Sequence, residues 1–598
     1  MRGLTLLPQT QPVWLARYGL AAILMLVFSL AVLLAPVSDA RARTGDSYSV
    51  EIAEKKKKTR KARSRTSRSR KAKSRKRAAS KTRQQGSEAA TDGKSAGAAK
   101  PTTYADLFRQ FQIDERSIGY IAIDAATGAV VAARRPDGGF IPASSIKAPT
   151  AVMALNVLGA NFKLSTRLFA TGTVRGGVLQ GDLILVGGGN PELFTDDYAS
   201  LVAALKARGI TRISGRFLYD NSLFPDTKAV SDAHDNDVSY NAGVGALSLN
   251  FNRLRLRWIR SRQGLSVTIY SKTDRLAIPI DIVSAAVAPA GTRTRRGVAW
   301  DDAGVTPRWL LSSRVRRSGE MWVPVKRVGL HAAHVFQQYA KSAGITLPNP
   351  KPGVRPAGAA VVANHFSDPL VQVARRFLKY SNNVATEIIG QTTTRLITGK
   401  PLSIEQSGAA MAAWYRQKLP KVNWTGLRIA NHSGLSRYTA ISPRQMVSIL
   451  RWARTQNYAG YRLWDILRPY WVGAGTAYTQ RRFRRRASGK RVRFRKRGKR
   501  RFAARRIPRG SSLVAPGFAK WMVVRGKTGT INHARSLVGF MVTKSKRELI
   551  FAVFIDDDRA QLAAAKAGRR YKRMSPGRWS WRSRAVLRGI LRKWLLEN

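Results

Sequence analysis

Cysteine is missing from all 598 residues, which excludes disulfides and thiolate metal sites. Histidine is scarce, with six copies. His331 and His334 share a helix face, but no third ligand accompanies them, so neither a zinc site nor any other metal or cofactor is expected. Acids are few as well: 34 Asp and Glu stand against 106 Lys and Arg, a formal net charge of +72. An excess so large and so uneven bears on partners and solubility, not on fold. Apolar residues are not lacking, because 44% hydrophobic content furnishes cores for several domains.

Absences also divide the chain. Residues 43–102 show no apolar periodicity; the tract from Lys55 to Arg83 is dominated by Lys, Arg and Ser, and a Ser, Ala, Gly and Gln tether follows. Such a segment cannot offset its ordering entropy by burial and reads as a disordered basic linker. Phosphate contacts would make it a nucleic-acid arm in a cytosolic protein, yet it lacks the interleaved aromatics that stack bases. It also follows what reads as an export signal over residues 1–42. Arg2 and Arg17 have no acid beside them, Tyr18 to Leu34 is apolar, and Ala40-Arg41-Ala42 is a small-x-small cleavage site. The apolar run is long enough to be an uncleaved anchor, but the far more basic segment after it disfavours an anchor with that segment outside. Cleavage after Ala42 and an exported, periplasmic chain are expected. Anionic envelope polymers or lipid head groups then fit the basic tail, a plain solvated tail is the alternative, and no specific nucleic acid is expected.

From Tyr104 the pattern turns globular. Tyr104–Phe111 reads as a short helix and 118–135 as a hairpin turning at Thr127-Gly128. Pro142 then opens an apolar helical run, FIPASSIKAPTAVMAL, in which Ser144 and Lys147 lie one turn apart on one face. Ser145 points elsewhere. No second Ser-x-x-Lys occurs in the chain, although both residues are abundant. Residues 164–355 are rich in strands and read as one or two inserted β domains; Gly187-Gly188-Gly189 is read there as a turn. Residues 356–598 return to mixed structure. Asp368-Pro369 opens one helix, another begins near Val384, and Tyr380 to Asn383 form a polar break between them. Residues 481–509 form a second basic island, read as an exposed loop. Three apolar strands follow, with Lys527-Thr528-Gly529-Thr530 directly after the first and Asp556-Asp557-Asp558 as a solvated turn ending the third. Val586, Ile590, Leu591 and Trp594 mark one stripe of a last helix.

Ser144-x-x-Lys147, Ser381-x-Asn383 and Lys527-Thr528-Gly529 occur in that order, and the set resembles the active-site-serine penicillin-binding peptidases. PASSIK, the long insertion before Ser381, NHSGLSRYTAISPRQ and GKTGTI are similar to the D-alanyl-D-alanine carboxypeptidase/endopeptidase branch, the penicillin-binding protein 4 type. The resemblance covers about 104–598. It implies an α/β (α+β) transpeptidase-like domain in two parts, 104–163 and 356–598, with helices on an antiparallel sheet and the β-rich insertion between the first two motifs.

The resemblance also implies roles. Ser144 attacks and Lys147, as a neutral amine, takes its proton; burial and the like charge of Lys527 are expected to keep Lys147 neutral while Lys527 stays charged. Ser381 relays a proton to the departing amine, and Asn383 holds the acyl-side amide. Lys527, Thr528 and Thr530 bind the terminal carboxylate, with Gly529 allowing close approach. Backbone N–H groups of Ser144 and Thr530 hold the oxyanion. Asp220, Arg437 and Asn532 contact a diamino-acid side chain or its surroundings, Asp220 being alternatively a turn residue. Peptidoglycan stem peptides are the implied substrates and β-lactams the inhibitors. A serine β-lactamase shares the acylation machinery, and a wall-binding protein with a vestigial cleft is the reading from another class. Two departures bear on the cleft rim: His432 replaces a glycine, and only Gly475-Thr476-Ala477 stands where Gly-Thr-Leu is expected.

Overall fold

Strand Glu548–Asp556, sequence ELIFAVFID, is apolar on both faces and so needs cover on both. It occupies the middle of a five-stranded antiparallel sheet ordered Val524–Ile531, Ala534–Val542, Glu548–Asp556, Ile118–Asp124, Val130–Arg134. Ile550, Ala552 and Phe554 enter one core with helices Lys147–Val157, Leu370–Tyr380, Ile404–Lys418 and Pro443–Arg454. Leu549, Phe551, Val553 and Ile555 enter the other, under helix Tyr104–Phe111 and the C-terminal helix Pro576–Glu597. The stripe Val586, Ile590, Leu591 and Trp594 is buried there as its spacing predicts, and Trp594 Nε1 donates to the Tyr104 hydroxyl at 3.0 Å.

The computed structural model describes residues 103–232, 234–235, 237–472, 523–568 and 573–598. The expected signal, basic linker, basic island and Gly475-Thr476-Ala477 lie outside the described residues. No helix among the described residues is long and apolar enough to cross a membrane.

Helix Lys147–Val157 is buried continuously from Lys147 to Leu155, as expected of a helix apolar all round. After it the chain builds the β-rich body. Its largest sheet runs Lys351–Pro352, Phe217–Asp220, Leu183–Gly188, Ser165–Ala170, Ala360–Phe366. The last of these strands lies beyond the return expected at 355 and pairs with Ser165–Ala170. A second sheet contains the hairpin Arg253–Ser261 and Gly264–Lys272, whose alternation was legible. Gly187 and Gly188 are not a turn but the end of a strand, and a Cβ at Gly187 would lie 2.3 Å from Leu247 N. Close backbone approach, not turning, is what requires glycine there.

Candidate active site

Ser144 sits in a 3-10 turn, Ala143–Ile146, that runs into helix Lys147–Val157. Ala143 has φ 47°, a left-handed conformation that costs a non-glycine residue about 1–3 kcal/mol and persists only where its surroundings enforce it. The enforcement is visible. Ile141 N donates to Asp556 Oδ2 at 3.0 Å, Ser536 Oγ to Pro142 O at 2.5 Å, and Ser145 Oγ to the same carbonyl at 2.8 Å. Ser145 is therefore turned away from Lys147. Two glycines press against the turn: a Cβ at Gly434 would fall 1.9 Å from Ala143 O, and one at Gly529 2.3 Å from Pro142 O. The Asp556-Asp557-Asp558 run is consequently not a solvated turn. Asp556 is fully buried as a tether for the serine turn, and Asp557 opens helix Asp557–Lys566.

Lys147 Nζ has three partners: Ser144 Oγ at 3.1 Å, Asn383 Oδ1 at 2.7 Å and Ser433 O at 2.6 Å. The Asn383 amide is oriented by its Nδ2, which donates to Tyr240 O at 2.9 Å. Two of the three partners can only accept. A neutral amine has two hydrogens for them, and its lone pair is left for the Ser144 hydroxyl. Burial is the first cause lowering the Lys147 pKa, to about 7, and the Glu387 carboxylate acts against it. Burial, one of the two causes expected from sequence, leads; the like-charge repulsion is mutual between Lys147 and Lys527. That group is itself held well below the ordinary lysine value by burial first, then by Lys147 and Arg468.

A pH profile follows. Protonated Lys147 has no lone pair, so kcat/KM falls on the acid side with a midpoint near 7. Glu387→Gln removes the carboxylate that favours the charged amine, so the acid limb moves to lower pH; an unmoved limb in that variant would contradict the assignment.

Ser381 is the left-handed C-cap of helix Leu370–Tyr380, with φ 55°, and Asn382 caps the next helix, Asn383–Thr398, by accepting from Ala385 N at 3.0 Å. The polar break read from sequence is thus two caps back to back. Lys527 Nζ donates to Ser381 Oγ at 2.9 Å and to Thr528 O at 2.7 Å. Lys527 to Thr530 lie inside strand Val524–Ile531, not after it. That strand is the edge of the sheet, where alternate residues turn their N–H outward. Gly526 N donates outward to Arg468 O at 3.1 Å, so the period of two turns Thr528 and Thr530 N–H outward also. A cleft of about 500 Å³ is lined by Ser144, Ser381, Asn383, Thr530 and Asn532 together with the unanticipated His234.

Two of the expected binding residues are engaged elsewhere. Asp220 Oδ1 accepts from Ser222 N at 3.0 Å and Oγ at 2.7 Å, and Oδ2 accepts from Arg355 N at 2.8 Å, the behaviour of a turn residue. Arg437 pairs with Asp558 at 2.6 Å. Glu387 escaped the sequence reading. It is fully buried one helical turn beyond Asn383, and it accepts from His432 N at 3.1 Å and Ser433 N at 2.8 Å, which fixes the carbonyl that Lys147 uses. The available signal was a lone acid in the apolar stretch NVATEIIG. His331 and His334 are both buried, and among the described residues no group of three or more His, Asp or Glu is placed to hold a metal ion.

His432 leaves the rim alone. Its ring is fully buried, with Nε2 2.7 Å from Ser407 Oγ, and burial keeps it neutral by pushing its pKa down to about 3. The space comes from Gly390, where a Cβ would meet His432 Cγ at 2.1 Å. Gly390→Ala would gain about 1 kcal/mol of helix propensity, but overpacking costs about 1–3 kcal/mol and more for so close a contact. Thermal denaturation should therefore show net destabilisation, and Gly390→Ala with His432→Gly should recover it.

The layered sheet with a β-rich body inserted after the serine helix is the fold of the penicillin-binding peptidases. Residues 103–491 and 512–574 match the D-Ala-D-Ala carboxypeptidase 3 (S13) family, and the chain belongs to that family. It is 28% identical over 376 residues to a D-alanyl-D-alanine carboxypeptidase of Actinomadura sp., covering 57% of this chain and 65% of that protein. With the D-alanyl-D-alanine carboxypeptidase DacB of Haemophilus influenzae it shares 24% identity over 471 residues, 74% of this chain and 85% of that one. The crystal structure of penicillin-binding protein 4 from H. influenzae superposes with a TM-score of 0.62 at 20% identity, over 82% of this chain and 98% of that chain; its complex with a β-lactam gives 0.60.

Proposed function

We propose that this chain is an exported serine D,D-peptidase that cleaves the terminal D-alanine, or a D,D cross-link, of peptidoglycan stem peptides through an acyl-enzyme on Ser144, and that β-lactams acylate the same serine. The observation that carries the reading is Lys147 Nζ at 3.1 Å from Ser144 Oγ, held there by Asn383 Oδ1 and Ser433 O. Ser144 Oγ attacks the penultimate D-alanine carbonyl as its proton passes to Lys147 Nζ. Backbone N–H groups of Ser144 and Thr530 receive the oxyanion, where such donors are worth about 3–4 kcal/mol each. Ser381 Oγ accepts from Lys527, so its own hydrogen is free to go to the departing amine, and Lys147 resupplies it. Water then hydrolyses the ester by the reverse path. Lys527, Thr528 and Thr530 hold the terminal carboxylate, Gly529 gives it room, and Asn383 and Asn532 meet the acyl side.

The β-lactam complex of the Haemophilus relative supports the inhibitor class, and the names of both curated relatives support the reaction. Export through residues 1–42, the two-part domain with its insertion, and an anionic envelope polymer or lipid surface for the basic segments belong to the same proposal. The test is release of D-alanine from a pentapeptide ending in D-Ala-D-Ala: the wild type releases it and Ser144→Ala does not. Equal release by both would overturn the reading.

A further inference from the structure

Asp237 and Lys326 are both buried, each only 8% exposed. The two oxygens of the Asp237 carboxylate and the Lys326 amine are shut away from solvent, and none of the three atoms has a hydrogen-bond partner among the described residues. One buried charge left alone is strongly destabilising, whereas two of opposite sign compensate each other. Burial lowers the Lys326 pKa to about 8, and the Asp237 carboxylate is the strongest charge acting against it. The other charges that reach Lys326 are Lys228 and Asp232; both are exposed, and Lys228 pairs with Asp302 at 3.6 Å.

The backbone around the pair leads to the catalytic base. Asp237 lies between His234 and Tyr240, which line the cleft. Asn241 N donates to Val238 O at 2.9 Å, and the Asn241 side chain exchanges two 2.9 Å hydrogen bonds with the backbone of Ser231, so this segment closes on itself. It is joined to the β-rich body beside Lys326, just after strand Gly319–Pro324, where Gly243 N donates to Val325 O at 2.9 Å. A Cβ at Gly243 would stand 2.6 Å from Thr227 O, so the approach is close. On the cleft side Tyr240 O accepts from Asn383 Nδ2 at 2.9 Å, and Asn383 Oδ1 accepts from Lys147 Nζ at 2.7 Å. Whatever shifts the Tyr240 carbonyl turns the amide that positions Lys147.

We propose that Asp237 and Lys326 are positioning residues for the acylation of Ser144: their attraction holds the segment bearing His234, Asp237 and Tyr240 against the β-rich body and keeps the Tyr240 carbonyl on Asn383 Nδ2. The inference rests on the D,D-peptidase reading and places a control on the base outside the three motifs. Stability alone gives no reason for the pair, because neutral side chains of similar volume are as stable or more so at a buried site. Opposite charges add a direction. They draw the segment toward Lys326, and with it the carbonyl that orients Asn383.

The test acylates the full chain and its variants with benzylpenicillin in a stopped-flow series that separates the limiting rate from the half-saturating concentration. Lys326→Met and Asp237→Asn each lower the limiting rate about 10-fold, less than the about 10²-fold that a full 1 Å displacement of the reacting atoms costs, and change the half-saturating concentration less than about threefold. Asp237→Asn combined with Lys326→Met leaves no lone buried charge, so the double variant melts near the wild-type temperature and still acylates slowly. If a single variant does not fold, the double variant decides. A stable double variant that acylates at the wild-type rate would mark the pair as structural alone and overturn the inference, and so would single variants that lose affinity but not rate. A folded wild type that benzylpenicillin does not acylate would instead sink the peptidase reading itself.

Discussion

Lys147→Arg abolishes acylation, with a loss in kcat/KM of about 10⁴-fold or more, the upper range for removing a positioned base together with its geometry. A guanidinium remains protonated at any usable pH and offers Ser144 no lone pair. It is also too broad for the space, since Nζ already touches Asn383 Oδ1 and Ser433 O at 2.7 and 2.6 Å. Lys147→Met separates the chemistry from the packing. The side chain is fully buried, and a thioether of similar length fills the volume but leaves Asn383 Oδ1 and Ser433 O without their donor. The methionine variant should fold, unfold somewhat below the wild-type temperature and fail to acylate. Stopped-flow acylation by a chromogenic cephalosporin, beside a thermal melt, checks both halves; retained acylation in either variant would remove Lys147 from the mechanism.

Gly529→Ala carries the second large effect, a loss in kcat of about 10²-fold, the usual consequence of displacing a reacting atom by about 1 Å. The new Cβ would stand 2.2 Å from Ser536 Oγ, 2.3 Å from Pro142 O and 3.0 Å from Ser144 N. Ser536 can rotate away, but the Pro142 carbonyl is backbone, and moving it moves Ser144. Adding Ser536→Ala should therefore not restore the rate. Full activity in the double variant would show that the hydroxyl alone was in the way.

The three motifs were legible because each is short-range: a helical turn joins Ser144 to Lys147, and two caps join Ser381 to Asn383. Other features depend on partners far apart in the chain. Lys527-Thr528-Gly529-Thr530 read as lying just past a strand because small and polar residues carry weak strand propensity; it continues the strand through pairing with Ala534–Val542. Burial lowers the Lys147 pKa through helices that the sequence names one at a time, so its weight shows only in the packing. The departure at His432 was read as touching the cleft rim, whereas its compensation at Gly390 lies on helix Asn383–Thr398 and is invisible without the packing. Asp220, for which the sequence left both a ligand and a turn role open, accepts from Ser222 and Arg355 as a turn residue does, a contact across the chain that only the fold reveals. Glu387 was passed over because a single charged residue in an apolar stretch carries no motif; burial makes it conspicuous.

The central claim is that Ser144 is the residue acylated. Incubation with benzylpenicillin, intact-mass measurement and peptide mapping address it most directly. The account predicts one adduct of the mass of the drug on the peptide containing Ser144, and none in folded Ser144→Ala. An adduct on Ser145 or Ser381, or a folded wild type that takes up no drug, would contradict it.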